Sequence, residues 1–183
     1  MKSALKWVMV LALLMAPWLQ LPAAWGQLRT QSGSLARKSG IKHPKELERQ
    51  VLKLTNEARR KHGLPSLEPD EMLTEMARQH SDDMLQRNYF SHTNPDGKDM
   101  KDHLLEAPAA SRGIARAGEN IYGGRGQDCS DTKTMSRVIV DGWMTSPGHR
   151  ANILNPDYTH LGVGVSLRGN QIMATQNFAC RVK

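Results

Sequence analysis

The chain has 183 residues, 23% of them charged, and a formal net charge of +7. Setting aside an apolar N-terminus leaves about 157 residues, the size of one domain with one core. No Lys/Arg cluster is interleaved with aromatics, so the positive charge reads as a solvated surface weakly attracted to anionic cell walls or lipids. Nucleic acid is excluded as a partner on the same ground.

Lys2 and Lys6 flank the start of an apolar run, Val8 to Leu14, and a polar-poor tail ends at Ala24-Trp25-Gly26. This is the charged, apolar, small-residue order of a secretory signal. A membrane anchor is the alternative, but the run is shorter than the roughly 20 apolar residues that a span takes. Residues 1–26 are therefore read as a signal peptide, with Gln27 opening the mature chain. Their removal takes away two lysines and no acid, so the charge of +7 falls to +5, and Trp143 becomes the one remaining tryptophan. Residues 27–42 are polar, basic and rich in Ser and Gly, and read as a flexible leader. The domain proper is expected over 43–183.

Pro44 suits a first helical turn. Leu47, Val51, Leu54 and Ala58 follow as one apolar stripe, with Glu48, Arg49, Lys53 and Arg59 assigned elsewhere. Arg59 to His62 suit the negative end of a helix dipole, and Gly63 ends the helix. Asp70 is a plausible N-cap for a second helix carrying Leu73, Met76, Ala77, His80 and Met84 on one face. His80 on that face reads first as a hydrogen-bonded core residue, a ligand role being the alternative.

Tyr89-Phe90-Ser91-His92 forms the exit of this helix, and Asn94-Pro95-Asp96-Gly97 is a turn. Asp99 to Glu106 predicts a short helix with Met100, Leu104 and Leu105 inward. Ala107 to Arg116 reads as a small-residue loop, and Glu119 to Tyr122 as a short strand stopped by Gly123-Gly124. Met135, Val138, Ile139, Gly142 and Trp143 predict a third long helix, with Gly142 allowing a close neighbour. Ser146-Pro147-Gly148 breaks it, presenting His149 on a turn, and Ala151 to Leu154 could add a helical turn. Leu161, Val163 and Val165 alternate with small residues, Arg168 to Gln171 makes a hairpin turn, and a last strand follows. Helices come mostly first and the closing strands are antiparallel, which is an α+β order.

His92, Glu119 and His149 are polar residues held by segment ends. Imidazole and carboxylate suit a Zn²⁺ or similar divalent site with an open position, although none of the spacings is a short metal motif. A hydrogen-bond network under the loops remains the alternative. Ser146 and Ser91 are candidate nucleophiles with Glu119 orienting a ring, but neither lies in a Gly-x-Ser-x-Gly elbow. Cys129 and Cys180 could form one disulfide in an oxidising compartment, worth roughly 4 kcal/mol in the chain-entropy model, and two unpaired thiols are the alternative.

Five stretches carry a resemblance: Leu54-Thr55-Asn56-Glu57-Ala58-Arg59, Phe90-Ser91-His92, Ala117-Gly118-Glu119-Asn120-Ile121, Trp143 to Leu154, and Leu161-Gly162-Val163-Gly164. The chain resembles the CAP superfamily of cysteine-rich secretory proteins, antigen 5 and pathogenesis-related proteins (the SCP domain), most of all its short bacterial members. The resemblance implies an α-β-α sandwich with a small, mainly antiparallel sheet between helices and a central cleft. It maps His92 and His149 onto two cleft histidines that can hold metal, and Glu119 onto the first cleft glutamate. The second glutamate is replaced by Ser146, which removes a negative charge and should weaken a bound cation.

The expectation is thus a secreted or periplasmic binding module. Its cleft, His92, Glu119 and His149, would hold zinc or another divalent metal through the two imidazoles, with no organic cofactor. Its partner would be an extracellular or envelope lipid, peptide or glycan, and no membrane span would remain after signal cleavage. A secreted hydrolase or peptidase using metal-bound water with Glu119, or Ser146, is the alternative, ranked below binding.

Overall fold

The computed structural model describes residues 40–106 and 113–182. The expected signal peptide, the leader up to residue 39 and the first part of the expected 107–116 loop lie outside them.

The element order is α1 (Lys45–Lys61), β1 (Glu68–Pro69), α2 (Glu71–Arg87), α3 (Met100–Glu106), β2 (Ile114–Arg125), α4 (Thr132–Thr145), α5 (Pro147–Ile153), β3 (His160–Arg168) and β4 (Gln171–Arg181). The strands lie in the order β1-β3-β4-β2. β1 runs parallel to β3, and the β3–β4 and β4–β2 pairs are antiparallel. The architecture is α+β with a mainly antiparallel sheet between two helical layers, as the motifs implied.

On one face, Val163, Val165, Ala174 and Phe178 pack with Leu47 and Val51 of α1 and with Ile139 and Trp143 of α4 in a single core. Each large apolar side chain buried there stabilises by about 2 kcal/mol. Trp143 also donates its indole N–H to the Ile121 carbonyl at 2.9 Å, tying α4 to β2. On the other face α2 lies directly on β3. Gly162 and Gly164 provide the track: a β-carbon at either position would fall 2.1 Å from the α2 backbone. Leu73 and Met76 of α2 and Met100 and Leu104 of α3 build the smaller core on that side.

Capping follows the sequence at α2. Asp70 accepts from the Leu73 amide, and Asn88 closes the helix in the left-handed conformation, φ 54°. The hairpin turn between β3 and β4 also falls where expected, with Gly169 at φ 60°. Beyond the two residues of β1, the edge of β3 is covered by side chains and strap rather than by strand. Glu48 accepts from the Val165 amide at 3.1 Å, and Lys42 exchanges two backbone hydrogen bonds of 2.9 Å with Leu167.

Several expectations are corrected. The leader does not extend to residue 42, because Ile41 is buried with Leu85 beside Met173. The α1 stripe is Leu47, Val51, Thr55 and Arg59, all fully buried, with Glu48 nearly so. Leu54 and Ala58 sit at its margin. Leu105 is 76% exposed and Val138 is exposed too; Gly142 faces solvent, so no neighbour uses its missing side chain. β2 is twelve residues long and runs through Gly123-Gly124, because pairing with Met173 and Ile172 of β4 outweighs the weak strand preference of glycine. Pro147 breaks α4 but opens α5 at its first turn, so His149 stands on a helix rather than on a turn.

The disulfide expectation also fails in this fold. Both thiols are free. Cys180 pairs in register with Arg116, whereas Cys129 lies four residues beyond Arg125, which pairs with Gln171 at the far end of β4. Nine strand residues separate the two ends by about 30 Å, and four residues cannot recover that distance. A bridge needs Cα atoms within about 7 Å.

Candidate functional site

Glu119 is the centre of the site. It sits in β2 opposite Asn177 of β4, on the sheet face that α2 covers. Its side chain is only 8% exposed. His92, on the loop after α2, places Nδ1 2.8 Å from Glu119 Oε1. The Asn177 carboxamide, with its nitrogen turned to the carboxylate, donates to Oε2 at 3.2 Å and accepts from the Ala77 amide of α2 at 3.2 Å. The strand, the helix and the loop are therefore all fastened to one carboxylate.

The hydrogen bond to Glu119 raises the His92 pKa, against the opposing effect of burial. It also sets the neutral tautomer. Nδ1 carries the proton toward the carboxylate, leaving the Nε2 lone pair available. Carboxylate–histidine pairs of this kind orient metal-ligating imidazoles. The His92 side chain is 52% exposed, so that nitrogen is accessible.

A third imidazole, read from the sequence first as a core histidine, belongs to the same cluster. His80 Nε2 lies 3.0 Å from the Ser91 carbonyl and 3.8 Å from Glu119 Oε1. It thus holds the residue next to His92 and borders the carboxylate. Its place on the apolar face of α2 was legible, but its partner was not, because Glu119 is far away in the chain.

His149 arrives from the other side. Its backbone carbonyl accepts from Asn120 Nδ2 at 3.1 Å, while Asn152 of α5 donates to the Glu119 carbonyl at 3.1 Å and to Asn120 Oδ1 at 2.9 Å. Asn120 also donates to Gln176, which donates to Thr55 of α1. This buried amide ladder docks α5 on β2, and Asn120 and Asn152 were not singled out from sequence. The His149 ring makes no hydrogen bond to another described residue. Burial first, and then the charge of His92, lower its pKa and favour the neutral imidazole.

Ser146 stands at the α4–α5 junction, where its carbonyl accepts from the Arg150 amide, and its hydroxyl reaches neither imidazole. Ser91 Oγ accepts from the Thr93 amide at 3.1 Å. Among the described residues no three His, Cys, Asp or Glu side chains are grouped to hold a metal ion.

Two hollows meet at Glu119. A cavity of about 280 Å³ lies toward α2, lined by His80, Asp83, Met100 and Asn177 among others. A second of about 280 Å³ opens toward His92, Asp99 and Gly118.

This fold and site define an SCP-type domain, and the family comparison agrees. Residues 52–179 match the model of the CAP family, described as the cysteine-rich secretory protein family, and the chain belongs to it. It is 42% identical over 134 residues to YlbC, an uncharacterized membrane protein of Bacillus subtilis, covering 73% of this chain and 34% of that one. It is 43% identical over 133 residues to the uncharacterized B. subtilis protein YkwD, covering 72% and 46%. The chain thus spans less than half the length of these relatives. An extracellular SCP-domain protein of Bacillus anthracis has a similar structure, with a TM-score of 0.61 at 34% identity, covering 75% of this chain and 41% of that one. Among the described residues no helix is long and apolar enough to cross a membrane.

Proposed function

We propose that this protein is a secreted ligand-binding CAP domain whose cleft is organised by Glu119 and whose two cleft imidazoles, His92 and His149, hold a divalent ion such as zinc. The observation that carries this reading is the carboxylate–imidazole pair: Glu119 fixes His92 so that its second nitrogen faces outward. Secretion is supported by the signal-like residues 1–26 and by the extracellular description of the similar B. anthracis protein.

The fit to a metal is partial. Two neutral imidazoles are the right donors, and His149 has no competing hydrogen bond, but Glu119 is committed to His92 Nδ1. Ser146 stands where a further carboxylate would have added charge. The ion would therefore be held by two protein ligands, with water or a bound ligand completing the shell. When bound it supplies Lewis acidity; the chain's own part is to orient His92 through Glu119 and to keep His149 neutral.

Zinc titration of residues 27–183 by calorimetry tests this. One ion per chain is expected, with binding lost in both His92→Ala and His149→Ala. No binding by the wild type would return the histidines to a purely hydrogen-bonding role. A peptide-cleavage assay with and without chelator tests the hydrolase alternative; no turnover in either condition is expected.

A further inference from the structure

The sheet ends at β2, and part of the outer edge of that strand is open. Along such a strand successive residues turn their N–H and C=O groups alternately toward the neighbour and away from it. The Glu119 and Ile121 carbonyls face away from β4, because Asn152 and the Trp143 indole donate to them. Ala117 shares their orientation, since the register with β4 runs without a shift from Arg116 to Arg125. No described residue hydrogen-bonds to the outward N–H or C=O of Ala117, or to the N–H of Glu119. Unpaired edge groups of this kind are a template for another strand.

A hollow of about 540 Å³ lies along this open stretch and reaches both faces of the strand. Leu104 and Leu105 of α3 line it, and Leu104 packs in the same small core as Ala117. Arg116 and Tyr158 line it on the opposite face: a β-carbon on Gly118 would lie 2.3 Å from the Tyr158 hydroxyl. Lys101 and Ala117 also border the hollow that opens toward His92, so the two are contiguous. Together they make a groove between α3 and the edge of β2 that leads to the cleft.

The charge left over in this groove is positive. Arg116 is paired with Asp157. Lys101 makes no ion pair with a described carboxylate, and the nearby Asp99 is engaged by the Lys101 and Asp102 amides. Leu105, one turn of α3 from Lys101, stands open to solvent.

We propose that this groove binds an extended peptide, which joins the sheet beside β2 through the backbone of Ala117 and the Glu119 amide. Side chains two apart on a strand share a face at a spacing of about 7 Å, close to the roughly 5 Å of one helical turn. The peptide therefore carries an apolar residue against Leu104 and Leu105 and, two positions away, an acidic residue beside Lys101. A second copy of this chain fits the edge less well, because a two-fold pairing would bring the cations Lys101 and Arg116 of both copies into one groove. The peptide site rests on the domain being a binding module but not on the metal: of the cleft it uses only the Glu119 amide.

The capped, dye-labelled peptide Thr-Glu-Thr-Leu-Thr-Glu-Thr, which serves either strand direction, would be titrated by fluorescence anisotropy against the chain from residue 27 in chelator. A dissociation constant of about 100 μM is expected. Lysines in place of the glutamates should weaken it about tenfold. N-methylation of one alternate set of peptide amides, Glu and Leu or Thr, should abolish binding, and methylation of the other set should leave it within about twofold, because only one set faces β2. Exchange of the Ala117 and Glu119 amides, read by NMR, should slow at least about tenfold in the complex. Lys101→Glu and Leu105→Ser should each weaken binding about fivefold. Val138→Ser, on α4, should leave it unchanged. No binding, equal effects of the two methylated sets, or loss in Val138→Ser would each overturn the assignment. So would a chain that sediments as a dimer and takes up no peptide, which would give the edge to a second copy. Zinc binding without peptide binding would sink the groove site while leaving the metal-holding cleft standing.

Discussion

A β-carbon on Gly164 would lie 2.1 Å from the backbone nitrogen of Arg78. Strand β3 and helix α2 therefore touch backbone to backbone, and no side-chain movement can relieve an added methyl. Gly164→Ala should force α2 off the sheet at a cost of about 3 kcal/mol. The shift should also loosen the Asn177 link between the Ala77 amide and Glu119. Thermal unfolding should fall by roughly 10 °C. Gly148→Ala, where an added carbon meets nothing within 4 Å, is the control and should change little.

Arg59 is fully buried and faces only carbonyl oxygens. It donates to Pro65, Ile153 and Asn155 at 2.7–2.9 Å and reaches Tyr158 at 3.4 Å. It clips the α5–β3 connection onto α1 and so fixes the base on which His149 stands. Arg59→Met should leave several buried acceptors without donors and cost about 3 kcal/mol in urea unfolding. Arg59→Lys should rescue little, since one ammonium cannot reproduce the fork. A lysine variant as stable as the wild type would mean that charge, not hydrogen-bond geometry, matters here.

These two residues mark how far the sequence could be read. Helix and strand periods are local properties, so the layers and the α2 cap could be read directly, and the ordered motifs placed His92 and Glu119 in one cleft. Arg59 misled because a cation in a last helical turn satisfies a local rule. Besides Pro65, its partners lie more than ninety residues away, on α5 and the loop after it. Gly123-Gly124 misled for the same reason: the break is a local signal, while β4 supplies the pairing. His80 was placed on the correct face, but its neighbour Glu119 comes from another strand. Burial of a polar side chain is a property of the partner as much as of the residue.

The register of β2 and β4 makes Cys129 and Cys180 separate thiols. Unreduced protein, denatured and treated with iodoacetamide, should gain two adducts per chain by mass spectrometry. Partial burial raises the Cys129 pKa, and the neighbouring Asp128 charge adds to the rise. In the folded protein it should therefore alkylate slowly at neutral pH. A chain with no adducts would require Cys180 to leave its place beside Arg116, and hence a different end to β4.

The strap that begins the described domain contains a pH-sensitive clasp. His43 Nε2 lies 3.4 Å from Asp82 Oδ2, and Asp82 also accepts from Ser166 at 2.5 Å. The hydrogen bond to Asp82 raises the His43 pKa above its usual 6.5, with the Asp82 and Glu48 charges adding to the rise. Burial and the Arg78 charge oppose it, and Nδ1 has no partner among the described residues. A raised folded-state pKa means that the folded chain holds the proton more tightly than the unfolded one. The added stability is full below the unfolded pKa and disappears as the pH climbs through the folded one. Calorimetric melting should thus fall by about 3 °C between pH 6 and pH 8 on this account. In His43→Gln that part of the slope should vanish, and the variant should match the wild type more closely at pH 8 than at pH 6. Equal slopes in the two proteins would place the titrating group elsewhere.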